Sequence, residues 1–194
     1  MALRIQEIHP SIVHFPIALL PTALAFDAVG RLTENPRLMD TGRHLIPVAA
    51  ASAALAGVAG LVAQSAVRMR NNTAHDHLVT HRTLNIALTA LLACLAASRG
   101  RQSRPGPGYL LAGAAGVAAL AYSTYLGGKM VYEHGLGVRS AGGLDEEAAP
   151  EIRRGSLGEA ARTSARHAAH ALRHAAEHAT EGELVPTLRR RPKS

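Results

Sequence analysis

Four long stretches of this chain contain no Asp, Glu, Lys or Arg, and they constrain its fold more than any other feature. Residues 8–26 are charge-free over 19 positions, 44–67 over 24, 83–98 over 16 and 105–128 over 24. A helix needs about 20 apolar residues to cross a hydrocarbon core of about 30 Å. Three runs meet that length outright. The third meets it when its helix starts near His77, with Arg82 snorkelling or facing the bundle. None of the four shows the polar face of a soluble amphipathic helix. A soluble Ala-rich bundle is the competing reading, and run length argues against it. Composition sharpens the contrast: only 18% of the 194 residues are charged, and they crowd into the loops and the last third. The chain reads as a membrane protein.

The N-terminus resembles a signal peptide in having Arg4 ahead of an apolar run and Ala23-Leu24-Ala25 as a small-residue site. His14, Pro16 and Pro21 interrupt that run, so it reads as an uncleaved first spanning helix. Helices are expected at about 10–31, 44–67, 77–98 and 108–132, joined by short charged loops at 32–43, 68–76 and 99–108. Short loops make neighbours antiparallel. The expected fold is all-α: a four-helix up-down-up-down transmembrane bundle over residues 1–139, then a linker and an amphipathic or disordered basic tail over 140–194. Both termini then share one side of the membrane, with Tyr109 and Tyr132 as interfacial anchors of the fourth helix. The positive-inside count ties. Arg4, Arg68, Arg70, Arg82, Lys129 and Arg139 stand on the terminal side, against Arg31, Arg37, Arg43, Arg99, Arg101 and Arg104 on the other. Only the closing Arg189-Arg190-Arg191-Pro192-Lys193 tips the termini toward the cytoplasm.

The topology gathers the histidines. His9 and His14 open helix one, His75, His77 and His81 open helix three, and His134 follows helix four, so all six fall at one membrane face. His44 lies at the other. His14 and His81 each sit about one turn inside their helices. Ionisable groups within a membrane are costly and mark function. For His9, His75 and His44 an ordinary interfacial role suffices, whereas His14 and His81 make a candidate shared site. Asp27 is read as pairing with Arg31 four residues on. Small residues such as Ala53, Ala56, Gly57 and Gly60 in helix two, and Gly113, Ala114 and Gly116 in helix four, suit close packing in lipid. They also suit room for a flat cofactor.

His9-Pro10-Ser11-Ile12-Val13-His14-Phe15-Pro16-Ile17-Ala18-Leu19-Leu20 resembles the HPxxVHFPIAL opening of a bacterial four-helix membrane family, domain of unknown function 2231. His81-Arg82-Thr83-Leu84-Asn85 is similar to its third-helix HxxxN, and residues 127–138 resemble its closing GGxLVYxHGxGV. The resemblance spans about residues 8–139. An acidic residue common late in the family's second helix is missing here, with Gln64 nearest, which removes the basis for proton transfer by that helix. Relatives fused to Rieske or cytochrome c modules imply membrane electron transfer in a bacterial cell membrane. The matching histidines are His9, His14, His81 and His134.

Residues 157–180 are Ala-rich and helical by propensity, ended by Gly182 and Pro186. His167, His170, His174 and His178 share one face, opposite a stripe of Leu157, Ala161, Ala165, Leu172 and Ala179. The stripe is expected to lie on anionic lipid or a partner, leaving the histidine row exposed. His170, His174 and His178, at i,i+4 spacing, are candidate transition-metal ligands.

The expected function is a membrane electron-transfer subunit that holds b-type haem between helices. His14 and His81 are the foremost iron ligands, His9 and His134 the alternatives, and Arg82 or Lys129 would meet the propionates. Two other readings stand beside it: a non-redox membrane anchor or assembly subunit, and a divalent-metal protein using the same cluster. Expected partners are the lipid bilayer, a redox protein, a quinone and a second copy of the chain. No nucleophile–base pair, Gly-rich phosphate loop or paired carboxylate supports independent catalysis in the membrane segments. With no Trp and two Phe, a base-stacking nucleic-acid module is disfavoured. One Cys excludes an internal disulfide and a Cys-based metal site within one chain.

Overall fold

The computed structural model describes residues 3–69, 71–138, 140–145, 151–152 and 157–189. Arg70, Arg139, parts of the expected linker (146–150 and 153–156) and the closing basic residues from Arg190 onward lie outside the described residues, as does the Leu157 side chain. The chain is all-α. Helix α1 (Ile5–Ile12) is followed by α2 (His14–Leu32), α3 (Pro36–Ala63), a single 3₁₀ turn (Gln64–Ala66), α4 (Asn72–Gly100), α5 (Pro107–Tyr132), α6 (Leu157–Thr180) and α7 (Pro186–Arg189). One two-residue antiparallel ladder accompanies them, β1 (Leu3–Arg4) with β2 (Glu151–Ile152).

Four spans are long and apolar enough to cross a membrane: Glu7–Leu32, Pro36–Ala66, Asn72–Gly100 and Pro107–Tyr132. Only 22% to 33% of each span's most apolar stretch is buried within the protein, so most of that surface turns outward. Phe15, Leu55, Leu111 and Tyr132 are among the exposed large side chains. That suits a bilayer and not water.

The helix ends differ from the expected ones for legible reasons. Helix α3 begins at Pro36, eight residues before His44, because Asn35 caps it: Asn35 Oδ1 accepts from Arg37 N at 3.0 Å and Leu38 N at 3.4 Å. Proline at the first helical position needs no N–H there. Asn71 does the same for α4, accepting from Ala74 N at 2.7 Å, so that helix starts at Asn72 and not near His77. The first span is continuous through Pro10 and is interrupted at Val13. Pro16 has no N–H for the Ile12 carbonyl, which accounts for the break.

The chain divides into two compact units. One comprises Met1–Pro10, Val58–Leu84 and Ser123–Ser194; the other comprises Ser11–Gly57 and Asn85–Tyr122. The second unit has an apolar centre of Leu20, Ala23, Leu24, Ile46, Ala49, Leu92, Leu95 and Tyr109. Two glycines of its last helix are closed in by neighbours: a Cβ on Gly113 would run into the Leu24 side chain, and one on Gly116 would approach Leu91 at 3.1 Å. Close packing explains these small residues.

Also in the second unit is a polar node that local spacing misses. Asp27, fully buried, accepts from Arg99 Nε at 3.0 Å and Nη2 at 2.8 Å and from the Tyr109 hydroxyl at 2.8 Å. Arg99 also donates to the carbonyls of Met39 and Gln102, each at 2.6 Å. Arg31, the expected partner, donates instead to the Pro105 carbonyl at 2.6 Å. Tyr109 is therefore a buried partner of Asp27 and not an interfacial anchor, while Tyr132 is 91% exposed as an anchor would be.

In the first unit the segment after α5 folds back on the end of α3. Val67 bridges Leu144, Arg68 N donates to the Gly143 carbonyl, and Asp145 N donates to the Ala66 carbonyl at 2.7 Å. Helix α6 belongs to this unit, tied by His167 Nδ1 to the Ser65 hydroxyl at 2.8 Å. Its inward face carries buried Ala160 and Ala171 with half-buried Ser164, His167 and His178. Ala161, Ala165, Leu172 and Ala179 are exposed. The expected histidine row is thus split: His170 and His174 are exposed, whereas His167, bonded to Ser65, and His178 are half-buried.

A histidine cluster in the first unit

The first unit brings together four histidines from three segments of the chain. His77 and His81 stand one turn apart on α4, the spacing that puts both on one face. Buried His77 places Nδ1 3.1 Å from Nε2 of His134, which follows the C-terminus of α5. One ring donates and the other accepts in that contact. The two imidazole centroids are 5.2 Å apart.

His81 is oriented by α5. Its Nδ1 lies 2.8 Å from the Ser123 carbonyl and 3.0 Å from the Ser123 hydroxyl. Donation from Nδ1–H to a carbonyl fixes the tautomer and puts the ring's lone pair on Nε2, the arrangement that prepares an imidazole for a metal. His9 stands in the same unit as His81. Both rings sit against glycine. A Cβ on Gly60 would come within 2.9 Å of His9 Cε1, and one on Gly127 within 3.4 Å of His81 Cε1. At these two positions the room left by small residues is taken up by imidazole.

Arg82, beside His81 on α4, has only 7% exposure. Its Nη1 reaches Gln64 Oε1 at 3.4 Å, while Nε and Nη2 are buried with no hydrogen-bond partner among the described residues. A buried guanidinium with two idle donors is costly and invites an anionic group. Lys129, the other expected propionate partner, pairs with Glu133 at 3.3 Å.

These residues come from the very segments whose sequence is distinctive. A family model described as a predicted membrane protein, domain of unknown function 2231, matches residues 6–140. The chain belongs to that family. No curated protein and no solved structure matches it. The match takes in His9, His14, His81 and His134, and stops short of α6 and its four histidines.

Within that framework the candidate residues separate. His9, His81 and His134 stand in the first unit, where His77 joins them as a residue that sequence reasoning had not put in the site. Its spacing from His81 was the available signal. His14 stands in the second unit, exposed on the first turn of α2. In the tail, exposed His170 and His174 pack edge to face at 4.5 Å, and His174 Nδ1 pairs with Glu177 at 2.9 Å. Glu181 and Glu183, beside His178, were missed; the carboxylates flanking Gly182 were their only sequence signal.

Proposed function

We propose that this membrane protein is an electron-transfer subunit whose cofactor, a b-type haem, is held at the histidine cluster of the first unit. The observation that carries the reading is the buried Arg82 guanidinium, two of whose nitrogens have no partner among the described residues, next in sequence to an imidazole held through Nδ1. His81 would hold the iron, and His9, from the same unit, would be the other ligand in preference to His14, whose side chain is exposed in the other unit. Arg82 meets a propionate, with Gln64 orienting the guanidinium. Haem supplies one-electron chemistry when bound. Ser123 holds the His81 ring through Nδ1, and the apolar spans exclude bulk water. A quinone and a redox protein are the exchange partners of this reading, and a second copy of the chain is a further one.

The test is the visible spectrum of full-length protein purified after expression with ample haem. A Soret band is expected, and it should be lost in His81→Ala and weakened in His9→Ala and Arg82→Gln. A colourless wild-type protein overturns the reading.

A second reading has its own observation. The 3.1 Å between His77 Nδ1 and His134 Nε2 is close to the separation of about 3.3 Å that two imidazole nitrogens take on a tetrahedral metal with bonds of about 2.0–2.1 Å. It assigns the cluster to a divalent cation. Metal analysis of wild-type protein against His77→Ala with His134→Ala decides it. An unchanged metal content removes it.

A further inference from the structure

The end of α6 carries a cluster of donors that neither the family match nor the histidine site uses. The helix terminates in a Schellman turn. Gly182 takes φ +75°, Glu183 N donates to the His178 carbonyl at 2.9 Å, and Gly182 N donates to the Ala179 carbonyl at 3.3 Å. Only glycine adopts that left-handed conformation without penalty. The turn reverses the chain within one residue and brings the carboxylates on both sides of Gly182 back to the side chain four residues before it. One donor atom from each of His178, Glu181 and Glu183 then lies within 4.8 Å of the others.

Three further facts separate this cluster from a chance meeting of surface acids. His178 Nδ1 is sealed from solvent and has no hydrogen-bond partner among the described residues, with a Glu183 carboxylate oxygen at 3.7 Å. The His75 ring, from the first turn of α4, faces the His178 ring at 5.7 Å between centroids. Two imidazoles on one tetrahedral metal, with bonds of about 2.0–2.1 Å, hold their centroids about 5–6 Å apart. The following segment is anchored as well: the Thr187 hydroxyl is 2.9 Å from the Thr80 hydroxyl, and Thr187 N donates to it at 3.3 Å.

We propose that His178, Glu181 and Glu183, with His75 as fourth donor, form a binding site for a zinc-type divalent cation that fastens the end of α6 to the start of α4. Nitrogen and carboxylate donors together select a borderline cation such as Zn²⁺ over Mg²⁺ or Ca²⁺, which take oxygen alone. The glutamates are exposed and can close by the ångström or so that coordination requires, whereas the two histidines sit on helices. The exposed His170 and His174 pair is not part of the site, because His174 is committed to Glu177.

The experiment uses full-length protein without an affinity tag, in detergent, titrated with Zn²⁺ against a chromophoric chelator and with Co²⁺ by its visible absorption. Glu181→Gln with Glu183→Gln keeps size and turn while weakening two donors. This variant should bind Zn²⁺ at least tenfold more weakly and lose the tetrahedral Co²⁺ bands. His178→Ala should lose one equivalent of metal, and His75→Ala should weaken binding. In wild-type protein Zn²⁺ should slow hydrogen exchange over residues 157–189, and in the double-Gln variant it should not. Equal affinity and stoichiometry in wild type, His178→Ala and the double-Gln variant would overturn the proposal. So would an equivalent that survives these changes and disappears with His170→Ala/His174→Ala or with His77→Ala/His134→Ala.

Discussion

Two buried arginines show how a charge inside an apolar bundle can be either resolved or left open. Arg99 is resolved, with Asp27, the Tyr109 hydroxyl and two carbonyls accepting from or flanking its guanidinium network. Removing one member of such a pair strands the other, at a cost of about 3–5 kcal/mol. Asp27→Ala should therefore destabilise the second unit by about that amount, and Asp27→Ala combined with Arg99→Leu should be less damaging than Asp27→Ala alone. Thermal unfolding of the three variants in one detergent measures both effects. An additive double variant would mean that the pair contributes nothing as a pair. Arg82 is left open. Its two nitrogens without a partner among the described residues make the opposite sign the expectation: Arg82→Met, similar in length and uncharged, should raise the melting temperature of cofactor-free protein. One kcal/mol corresponds to about 2–4 °C for a chain of this size. The same variant should retain less haem. A lower melting temperature would make Arg82 a structural residue and withdraw the main support for the propionate reading. Asp27 was legible as an anomaly, the one acid within the expected first spanning helix of about residues 10–31. Its partner was not, because Arg99 lies 72 residues away and the helix-spacing rule pointed to Arg31.

At the scale of elements, apolar run length recovered the four spanning helices and their order, because twenty uncharged residues have few alternatives. Their ends were less legible. Polar residues such as Arg37, Asp40 and Arg43 were assigned to a loop, yet Asn35-Pro36 starts a helix among them and leaves only Thr33, Glu34 and Asn35 as the connection. That turn imposes a strained residue. Glu34 has φ +53° where glycine is the usual occupant, while Thr33 N donates to Val29 O and Asn35 N to Gly30 O, both at 2.9 Å. The left-handed conformation costs a non-glycine residue about 1–2 kcal/mol. The exposed ion pair of Glu34 with Arg104, at 3.5 Å, offsets less than that. Glu34→Gly should therefore stabilise the protein by about 0.5–1 kcal/mol after the unfolded-state entropy of glycine is counted. A fall in melting temperature would mean that the Arg104 contact holds this corner. On α6 the exposed histidine row was only half legible: His170 and His174 are exposed, but His167 and His178 are half-buried, because a bond from Ser65, 102 residues away in sequence, cannot be read from helical spacing.

For the molecule as a whole, the family match ends at residue 140 while the first unit includes the described tail, and truncation tests what that difference means. Removing residues 157–194 deletes the bond from His167 to Ser65 and the two contacts of Thr187 with Thr80. Each such hydrogen bond is worth about 0.5–1.5 kcal/mol net, so the loss is a few kcal/mol and falls entirely on the first unit. The apolar centre of the second unit, with Leu20, Ile46, Leu92 and Tyr109, is built from that unit's own residues. Stability in a folded chain is not uniform, and opening should follow the lost contacts. Hydrogen exchange is therefore expected to quicken around Ser65 and Thr80 and to stay unchanged through residues 85–100 of α4. Thr80 and His81 are neighbours on α4, so a truncated protein that keeps its spectrum shows that Ser123 alone suffices to hold the His81 ring. If the spectrum is lost while residues 85–100 stay protected, α6 and α7 are part of what orients the histidine cluster. If protection collapses in both units together, the two behave as one cooperative body and the tail belongs to its core.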